Sequence, residues 1–220
     1  MLFRSPWRIP SGSEYDSGDY HTVLDKLMKT ADWDALIDKR NAFRESGKLA
    51  GLGLSTCLEP SGGNSSFEPL FNPKNNTTTW MESCLIKVDM LGGICAMMGT
   101  SSSGQGHETL LAVSIAEVLE RDPDSIRAIH SDSVTALPSN SPVGSRMAIM
   151  LGGAAAGAAK KIKNQVIAIA AHNFQLPEDR LIYEGGDVYV KGDTERCLKW
   201  EQLVDIAHRQ YHNIPIGSEP

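Results

Sequence analysis

Apolar residues recur along much of the chain at the three-to-four-residue spacing of amphipathic helices. This spacing predicts two helices near the N-terminus, which Asp19 and Asp32 could cap, and two further helices over residues 110–121 and 198–211. A long helix rich in Gly and Ala is predicted over about residues 145–173. Small side chains there would let another backbone approach closely, and this packing would offset the low helix propensity of glycine.

Shorter apolar runs bounded by turn residues predict strands. They lie at residues 49–58, 80–88, 94–99, 126–129, 181–183 and 188–190, and a long loop rich in Pro, Gly, Ser and Asn is expected over residues 59–78. Because paired strands alternate with helices, the predicted fold class is α+β, with paired antiparallel strands packed against helices. We expect an N-terminal arm and helical segment over residues 1–48 and an α+β domain over residues 49–220.

Composition places the chain among globular proteins and disfavours several functions. The 220 residues include 27 acidic and 21 basic side chains, and this net charge of -6 argues against a protein that binds nucleic acid mainly through phosphates. The four cysteines form no Cys-x-x-Cys pair, which disfavours a zinc ribbon or a protein-ligated iron–sulfur cluster. The N-terminus lacks an apolar signal core, and residues 147–159 are too short to span a bilayer, so we expect a cytoplasmic location and no membrane span.

The segment over residues 99–109 has the composition of an anion-binding loop between a strand and a helix. Its glycines and hydroxyl residues would present backbone N–H groups and the positive end of a helix to a ligand. A P-loop is disfavoured because Gln105 follows Gly104 where the phosphate-binding lysine belongs. A zincin motif is excluded because Leu111 replaces the second histidine after His107. The alternative is a simple strand-to-helix turn capped by polar residues.

A second loop, over residues 131–146, also leads from a predicted strand into a predicted helix. Arg146 at its end could hold a phosphate through two hydrogen bonds, or it could be a solvated arginine in the first helical turn. His130, at the end of the preceding strand, is interpreted as a structural or half-buried histidine. Two anion-binding helix starts within about 40 residues suggest one elongated ligand, such as a dinucleotide.

Four motifs have an order and spacing similar to those of one known family. They are Tyr15-Asp16-Ser17-Gly18-Asp19-Tyr20; Gly51-Leu52-Gly53-Leu54-Ser55-Thr56 with Glu59-Pro60-Ser61-Gly62; Gly99-Thr100-Ser101-Ser102-Ser103-Gly104-Gln105-Gly106-His107-Glu108-Thr109; and Gly144-Ser145-Arg146 before the Gly/Ala-rich helix. Together they resemble the large, molybdopterin-binding subunits of the molybdenum hydroxylases, the family of xanthine dehydrogenase, aldehyde oxidoreductase and aerobic carbon monoxide dehydrogenase. The resemblance extends over essentially the whole chain and is closest to the bacterial carbon monoxide dehydrogenase-like branch.

The resemblance implies an oxidoreductase that oxidises an aldehyde, an N-heterocycle or carbon monoxide with water as the oxygen source. It implies a molybdenum–molybdopterin cofactor, in the cytosine dinucleotide form, and iron–sulfur clusters and FAD on partner subunits. In that family the pterin sulfurs hold the metal, so no protein metal ligand and no catalytic residue is assigned to this chain. The implied cofactor-binding residues are Gly104, Gln105, Gly106, His107, Glu108, Thr109, Asp132, Ser133, Thr135, Gly144, Ser145 and Arg146.

The chain also departs from the family. In the second loop Val134 replaces an acidic residue and Leu137 replaces a proline, and Glu219 comes too early to be the family's catalytic glutamate. Three hypotheses stay open. The chain could be a cofactor-binding piece that needs the remaining part of the subunit, with apolar surface around residues 49–58 and the Gly/Ala-rich helix covered by those partners. It could instead be a non-catalytic assembly module or truncated remnant, or a free-standing dinucleotide-binding domain.

Overall fold

The computed structural model describes residues 5–8, 14–15, 17–58, 81–130, 132–140 and 142–215. The chain divides into two compact units, which we call the N-terminal unit (described within residues 5–58) and the C-terminal unit (described within residues 81–215). The predicted loop over residues 59–78 lies outside the described residues. The domain boundary expected after residue 48 stays a prediction.

In its described residues, the N-terminal unit pairs two short antiparallel strands and contains two helices. They are β1 (Trp7–Arg8), β2 (Glu14–Tyr15), α1 (Tyr20–Thr30) and α2 (Trp33–Glu45). The predicted cap of α1 is present, since Asp19 accepts a hydrogen bond from the Thr22 backbone N–H at 3.0 Å. The predicted cap of α2 is wrong, because Asp32 makes no capping hydrogen bond. Its backbone has a left-handed φ of 48°, whereas a capping side chain usually requires an extended backbone.

The predicted strand over residues 49–58 does not form. Gly51 and Gly53 weaken a strand because they lack side chains and gain backbone freedom on unfolding. The side chains of this segment are exposed within the chain, with Leu49 at 105% and Leu54 at 44% relative accessibility. Without cross-strand neighbours, the apolar alternation of this segment gives no strand.

In its described residues, the C-terminal unit contains three α-helices, three short 3-10 helices and two three-stranded sheets, which confirms the α+β class. Its strands are β3 (Cys84–Val88), β4 (Ile94–Met98), β5 (Ile126–His130), β6 (Leu181–Glu184), β7 (Asp187–Val190) and β8 (Asp193–Leu198), and its helices are α3 (His107–Leu119), α4 (Met147–Phe174) and α5 (Trp200–Arg209). The sequence pattern missed β8, because most of its residues are polar and exposed and show no apolar alternation. No helix in the described part of the chain is long and apolar enough to cross a membrane.

The first sheet has the order β3-β4-β5 and mixes two pairing directions. The predicted antiparallel pair of β3 and β4 is confirmed, with Val88 opposite Ile94. Strands β4 and β5 run parallel, with Met98 opposite His130, and α3 makes the crossover between them. The carboxyl ends of β4 and β5 therefore lie side by side at one edge of this sheet.

The second sheet is an antiparallel meander of β6, β7 and β8, and it is fastened to the start of α5. Asp187 accepts hydrogen bonds from the Trp200 backbone N–H at 2.9 Å and from Lys199 Nζ at 2.8 Å. The indole N–H of Trp200 donates to the carbonyl oxygen of Gly92, in the turn between β3 and β4, at 2.9 Å. Trp200 therefore connects the two sheets.

The core of the C-terminal unit forms where α3 and α4 pack against each other and against the sheets. Its fully buried side chains include Ala96, Met98, Leu111, Ile115, Leu119, Leu151, Ala155 and Ala159. The small residues of α4 allow a close approach at Gly152, where a Cβ atom would lie 3.5 Å from Ser114 Oγ. Since Gly152 lies in the second turn of α4 and Ser114 lies at the middle of α3, the start of α4 packs against the middle of α3.

Two other glycines of α4, Gly153 and Gly157, are exposed, and no atom of the described chain lies within 4 Å of the position that a Cβ would take. We therefore expect Gly153→Ala to raise the free energy of unfolding by about 1 kcal/mol, the difference in helix propensity. Urea denaturation would measure this change. Gly104→Ala is the matched control, since it has the same open surroundings but a φ of 101°, and it should lose stability. A loss with Gly153→Ala would mean that another segment covers Gly153.

Two carboxylates of the C-terminal unit should make its stability depend on pH in acid. A hydrogen bond from Lys163 lowers the pKa of Glu120 from its ordinary value of 4.5. Burial alone would raise the pKa of Asp187, but hydrogen bonds from Lys199 and the Trp200 N–H outweigh burial and lower it from 3.8. Both groups therefore stabilise the fold above the ordinary pKa values, and this stabilisation is lost as the pH falls through the lower, folded-state values.

We expect the urea concentration at the midpoint of unfolding to decrease as the pH is lowered through this acid range. Asp187→Asn should lower the midpoint at neutral pH, because it removes the charge that Lys199 contacts, and should weaken the acid dependence. A midpoint of the unaltered chain that does not change between neutral and acid pH would contradict this linkage.

Candidate functional site

The two loops singled out from the sequence begin at the same edge of the first sheet. The first loop (residues 99–106) follows β4 and leads into α3, and the second loop (described over residues 132–140 and 142–146) follows β5 and leads into α4. The loops pack closely, since a Cβ on Gly99 would overlap the Leu137 carbonyl oxygen and lie 2.9 Å from Ser139 Cβ. The structure thus brings the two loops into contact at Gly99, Leu137 and Ser139, although about 40 residues of chain separate them.

The first loop is held by hydrogen bonds among its own residues. Gly104 and Gly106 adopt left-handed backbone conformations, with φ of 101° and 75°. Ser102 Oγ accepts from the Gly106 N–H at 3.1 Å, and the Gln105 side-chain oxygen accepts from the Ser103 N–H. The side-chain oxygen of Gln105 therefore shapes the loop, and the backbone turns sharply into α3.

Helix α3 begins at the predicted motif. Gly106 occupies the N-cap position, so no capping side chain satisfies the first N–H groups of the helix. His107 is 4% exposed, and its Nδ1 has no hydrogen-bond partner among the described residues. Glu108 Oε1 lies 3.6 Å from His130 Nε2, with both side chains partly exposed, and Thr109 is exposed. His130, interpreted as structural from the sequence, therefore lies beside the start of α3.

Asp132 organises the first turn of the second loop. Its Oδ1 accepts hydrogen bonds from the backbone N–H groups of Val134 and Thr135, both at 2.8 Å, and from Thr135 Oγ1 at 3.1 Å. These bonds, the one from the Thr135 N–H first, lower the pKa of Asp132. Ser133, between them, is exposed. The turn thus uses the Asp132 carboxylate and the Thr135 hydroxyl, and the contact of these residues with a cofactor stays a prediction.

The second loop ends in two consecutive left-handed residues, Gly144 with φ 68° and Ser145 with φ 48°. Arg146 follows at the N-cap position of α4 and makes no side-chain capping bond. Its side chain is fully buried, at 0% exposure, and forms an ion pair with Glu82. The alternative of a solvated arginine is therefore wrong, because the fold places the guanidinium beside a buried carboxylate.

Glu82, two residues before β3, belongs to this site although the sequence analysis did not find it. Its side chain is fully buried, and Oε1 accepts hydrogen bonds from Arg146 Nη2 and from the Asn140 backbone N–H, the latter at 3.3 Å. The two partners lie 58 and 64 residues further along the chain. No local pattern around Glu82 indicates such distant contacts.

The geometry suits an anionic organic group. The starts of α3 and α4 lie near each other, and the first-turn N–H groups of a helix lack intrahelical partners and carry the positive end of its dipole. Among the described residues no group of three or more His, Cys, Asp and Glu could hold a metal ion. This edge of the sheet therefore presents backbone N–H groups and hydroxyl groups as hydrogen-bond donors, and no set of protein metal ligands among the described residues.

This combination defines an α+β domain with a loop site suited to an anionic cofactor. The family model described as "Molybdopterin cofactor-binding domain" matches residues 26–218, and the chain belongs to that family. Residues 26–218 include both loops, and the resemblance stated from the sequence is confirmed.

Known proteins agree with this assignment. The chain is 36% identical over 219 residues to the carbon monoxide dehydrogenase large chain of Hydrogenophaga pseudoflava and 30% identical over 218 residues to the nicotine 6-hydroxylase large subunit of Paenarthrobacter nicotinovorans. Both matches cover 98% of this chain and 26% of the relative. The structure of reconstituted CO dehydrogenase from Oligotropha carboxidovorans matches 98% of this chain and 27% of its own, with a TM-score of 0.64 and 31% identity. The chain therefore spans about a quarter of the length of these relatives.

Proposed function

We propose that this chain binds the molybdenum–molybdopterin cofactor as one part of a molybdenum hydroxylase, which oxidises an aldehyde, an N-heterocycle or carbon monoxide with water as the oxygen source. One observation carries the proposal. Two loops with the family's motifs touch at the sheet edge where β4 ends, and they lead into α3 and α4. The bound cofactor supplies the redox chemistry, and the protein binds and orients it.

The residues of this edge fit such a group. No described atom lies within 4 Å of a Cβ position on Gly104 or Gly106, so a ligand can approach the backbone of the first loop. Buried polar atoms are normally hydrogen-bonded, and the buried Nδ1 of His107 has no hydrogen-bond partner among the described residues, so a ligand could supply one. Residues 104–109 would hold one part of the cofactor. Residues 144–146 would lie toward its phosphate-bearing side, and Asp132, Ser133 and Thr135, in the loop between, would be further contacts.

The finer points of the proposal follow from the relatives and the exposed surface. The similarity to a carbon monoxide dehydrogenase large chain favours the cytosine dinucleotide form of the cofactor. The partners would be the remaining part of the molybdopterin subunit, an iron–sulfur subunit and an FAD subunit, in the cytoplasm. Helices α1 and α2 contain no buried residue, and Val23 and Leu49 are 61% and 105% exposed, which supports coverage by a partner.

The test is purification of the tagged chain from its native host together with the proteins that accompany it. We expect near-stoichiometric molybdenum and acid-released cytosine nucleotide, with larger partner chains identified by mass. His107→Leu should lower both contents about tenfold, as loss of a positioned hydrogen-bonding group does at cofactor sites. His172→Leu, an exposed histidine in the last turn of α4, is the matched control and should change neither.

Absence of molybdenum and nucleotide in a host that loads other molybdenum hydroxylases would contradict cofactor binding. It would favour the alternative of a non-catalytic assembly module or remnant. This alternative is supported by the second loop, where Val134 and Leu137 replace the acidic residue and the proline of the family.

A further inference from the structure

We infer that Glu82 is a positioning residue for the second loop. Through Arg146 and Asn140, its buried carboxylate holds residues 140 and 142–146 in the conformation that presents their backbone to the phosphate-bearing side of the cofactor. The inference rests on the proposed function and adds to it a residue outside both motif-bearing loops.

The burial of the pair is the first argument. Both side chains are 0% exposed, so the carboxylate and the guanidinium have each lost their hydration. A buried ion pair adds little stability compared with an apolar pair of similar size. What the pair contributes here is the position of the second loop. Glu82 Oε1 accepts one hydrogen bond from the side chain of Arg146 and another from the backbone N–H of Asn140. One carboxylate oxygen therefore fastens the middle and the end of the second loop to the start of β3.

The backbone of the loop end is the second argument. Ser145 adopts a left-handed conformation with φ of 48°, which is unfavourable for a residue with a side chain. Such a conformation persists where neighbouring contacts impose it. The next residue is Arg146, whose side chain is anchored on Glu82. The anchored arginine therefore helps to keep the Gly144–Ser145 turn, and with it the direction of the N–H groups that begin α4.

The same contacts change the role expected for Arg146. A guanidinium with no exposed surface, paired with Glu82, is placed to hold the loop rather than to contact a phosphate. The two roles give opposite results when Glu82 loses its charge. If Arg146 holds the loop, the loop loosens and the cofactor is retained less well. If Arg146 binds phosphate directly, loss of the competing carboxylate leaves retention unchanged or improves it.

The experiment uses Glu82→Gln and Arg146→Lys in the tagged chain, purified with its accompanying proteins as above. Two quantities are measured, the cytosine nucleotide content per chain and the rate of amide hydrogen exchange over residues 140–149. We expect each variant to lower the nucleotide content about tenfold and to speed exchange in this segment about tenfold. Glu82→Asp keeps the negative charge, so it should lower the nucleotide content less, and speed exchange less, than Glu82→Gln does. Asp205→Asn, at the exposed pair with Arg209, is the matched control and should change neither.

The outcomes separate the alternatives. An unchanged or raised nucleotide content in Glu82→Gln, with a loss in Arg146→Lys, would show direct phosphate binding and overturn the inference. Faster exchange with an unchanged nucleotide content in both variants would make the pair merely structural and would also overturn it. If the unaltered chain holds no nucleotide, the proposed function fails, and unchanged exchange over residues 140–149 in Glu82→Gln would then overturn the positioning role separately.

Discussion

Glu82→Ala is expected to lower the free energy of unfolding of the C-terminal unit by about 3–5 kcal/mol, the usual result of removing one partner from a buried ion pair. The reason is that the Arg146 guanidinium keeps its burial and loses the carboxylate that compensates for it. Asn140 loses the acceptor for its backbone N–H in the same variant. Urea denaturation followed by circular dichroism would measure the change.

Two further variants make this prediction specific. Asp205→Ala breaks the ion pair with Arg209, whose side chains are 41% and 58% exposed, and should cost less than about 1 kcal/mol. The double variant Glu82→Leu with Arg146→Met replaces both buried charges by apolar groups and should recover most of the lost stability. Equal losses in Glu82→Ala and Asp205→Ala would contradict the burial of the pair.

Gly99→Ala is expected to destabilise the C-terminal unit by about 1–3 kcal/mol, the usual cost of an extra methyl group where no room exists. The added Cβ would overlap the Leu137 carbonyl oxygen and lie 2.9 Å from Ser139 Cβ, so the two loops must move apart. Because the loops carry the proposed cofactor contacts together, the cytosine nucleotide content of the purified complex should fall about tenfold. Denaturation and nucleotide release measure the two effects.

Gly153→Ala is the control for this variant, since it adds the same methyl group where no described atom lies within 4 Å. It should leave the nucleotide content unchanged. A Gly99→Ala chain that keeps its full nucleotide content would show that the contact between the first and second loops does not shape the cofactor site.

Both predictions concern how the second loop is supported. On one side it packs against Gly99, and on the other side Asn140 and Arg146 contact Glu82. We therefore expect the proposed site to depend on Glu82, which lies outside the family motifs, as well as on Gly99 within the first motif. Substitution of Glu82 should affect cofactor binding although no ligand-binding pattern surrounds it in the sequence.

The sequence alone determined the features that depend on neighbouring residues. Asp19 caps α1 because the capping oxygen and its N–H partner lie three residues apart. The β3–β4 and β6–β7 hairpins follow from apolar runs around glycine-containing turns. The four motifs together indicated the family, because each is a short run of residues and their order and spacing along the chain are specific.

Only the tertiary structure decided the features that depend on distant residues. The parallel pairing of β4 with β5, the contact of Gly99 with Leu137 and the burial of Arg146 against Glu82 join parts of the chain that are 32 to 64 residues apart. Segment 49–58 shows that a local pattern without a distant partner is not enough. Its apolar alternation indicates a strand, but it forms none. The physical reason is the same in each case. Spacing along the chain encodes which face of an element is apolar, whereas pairing, burial and charge compensation depend on which distant surface that face meets.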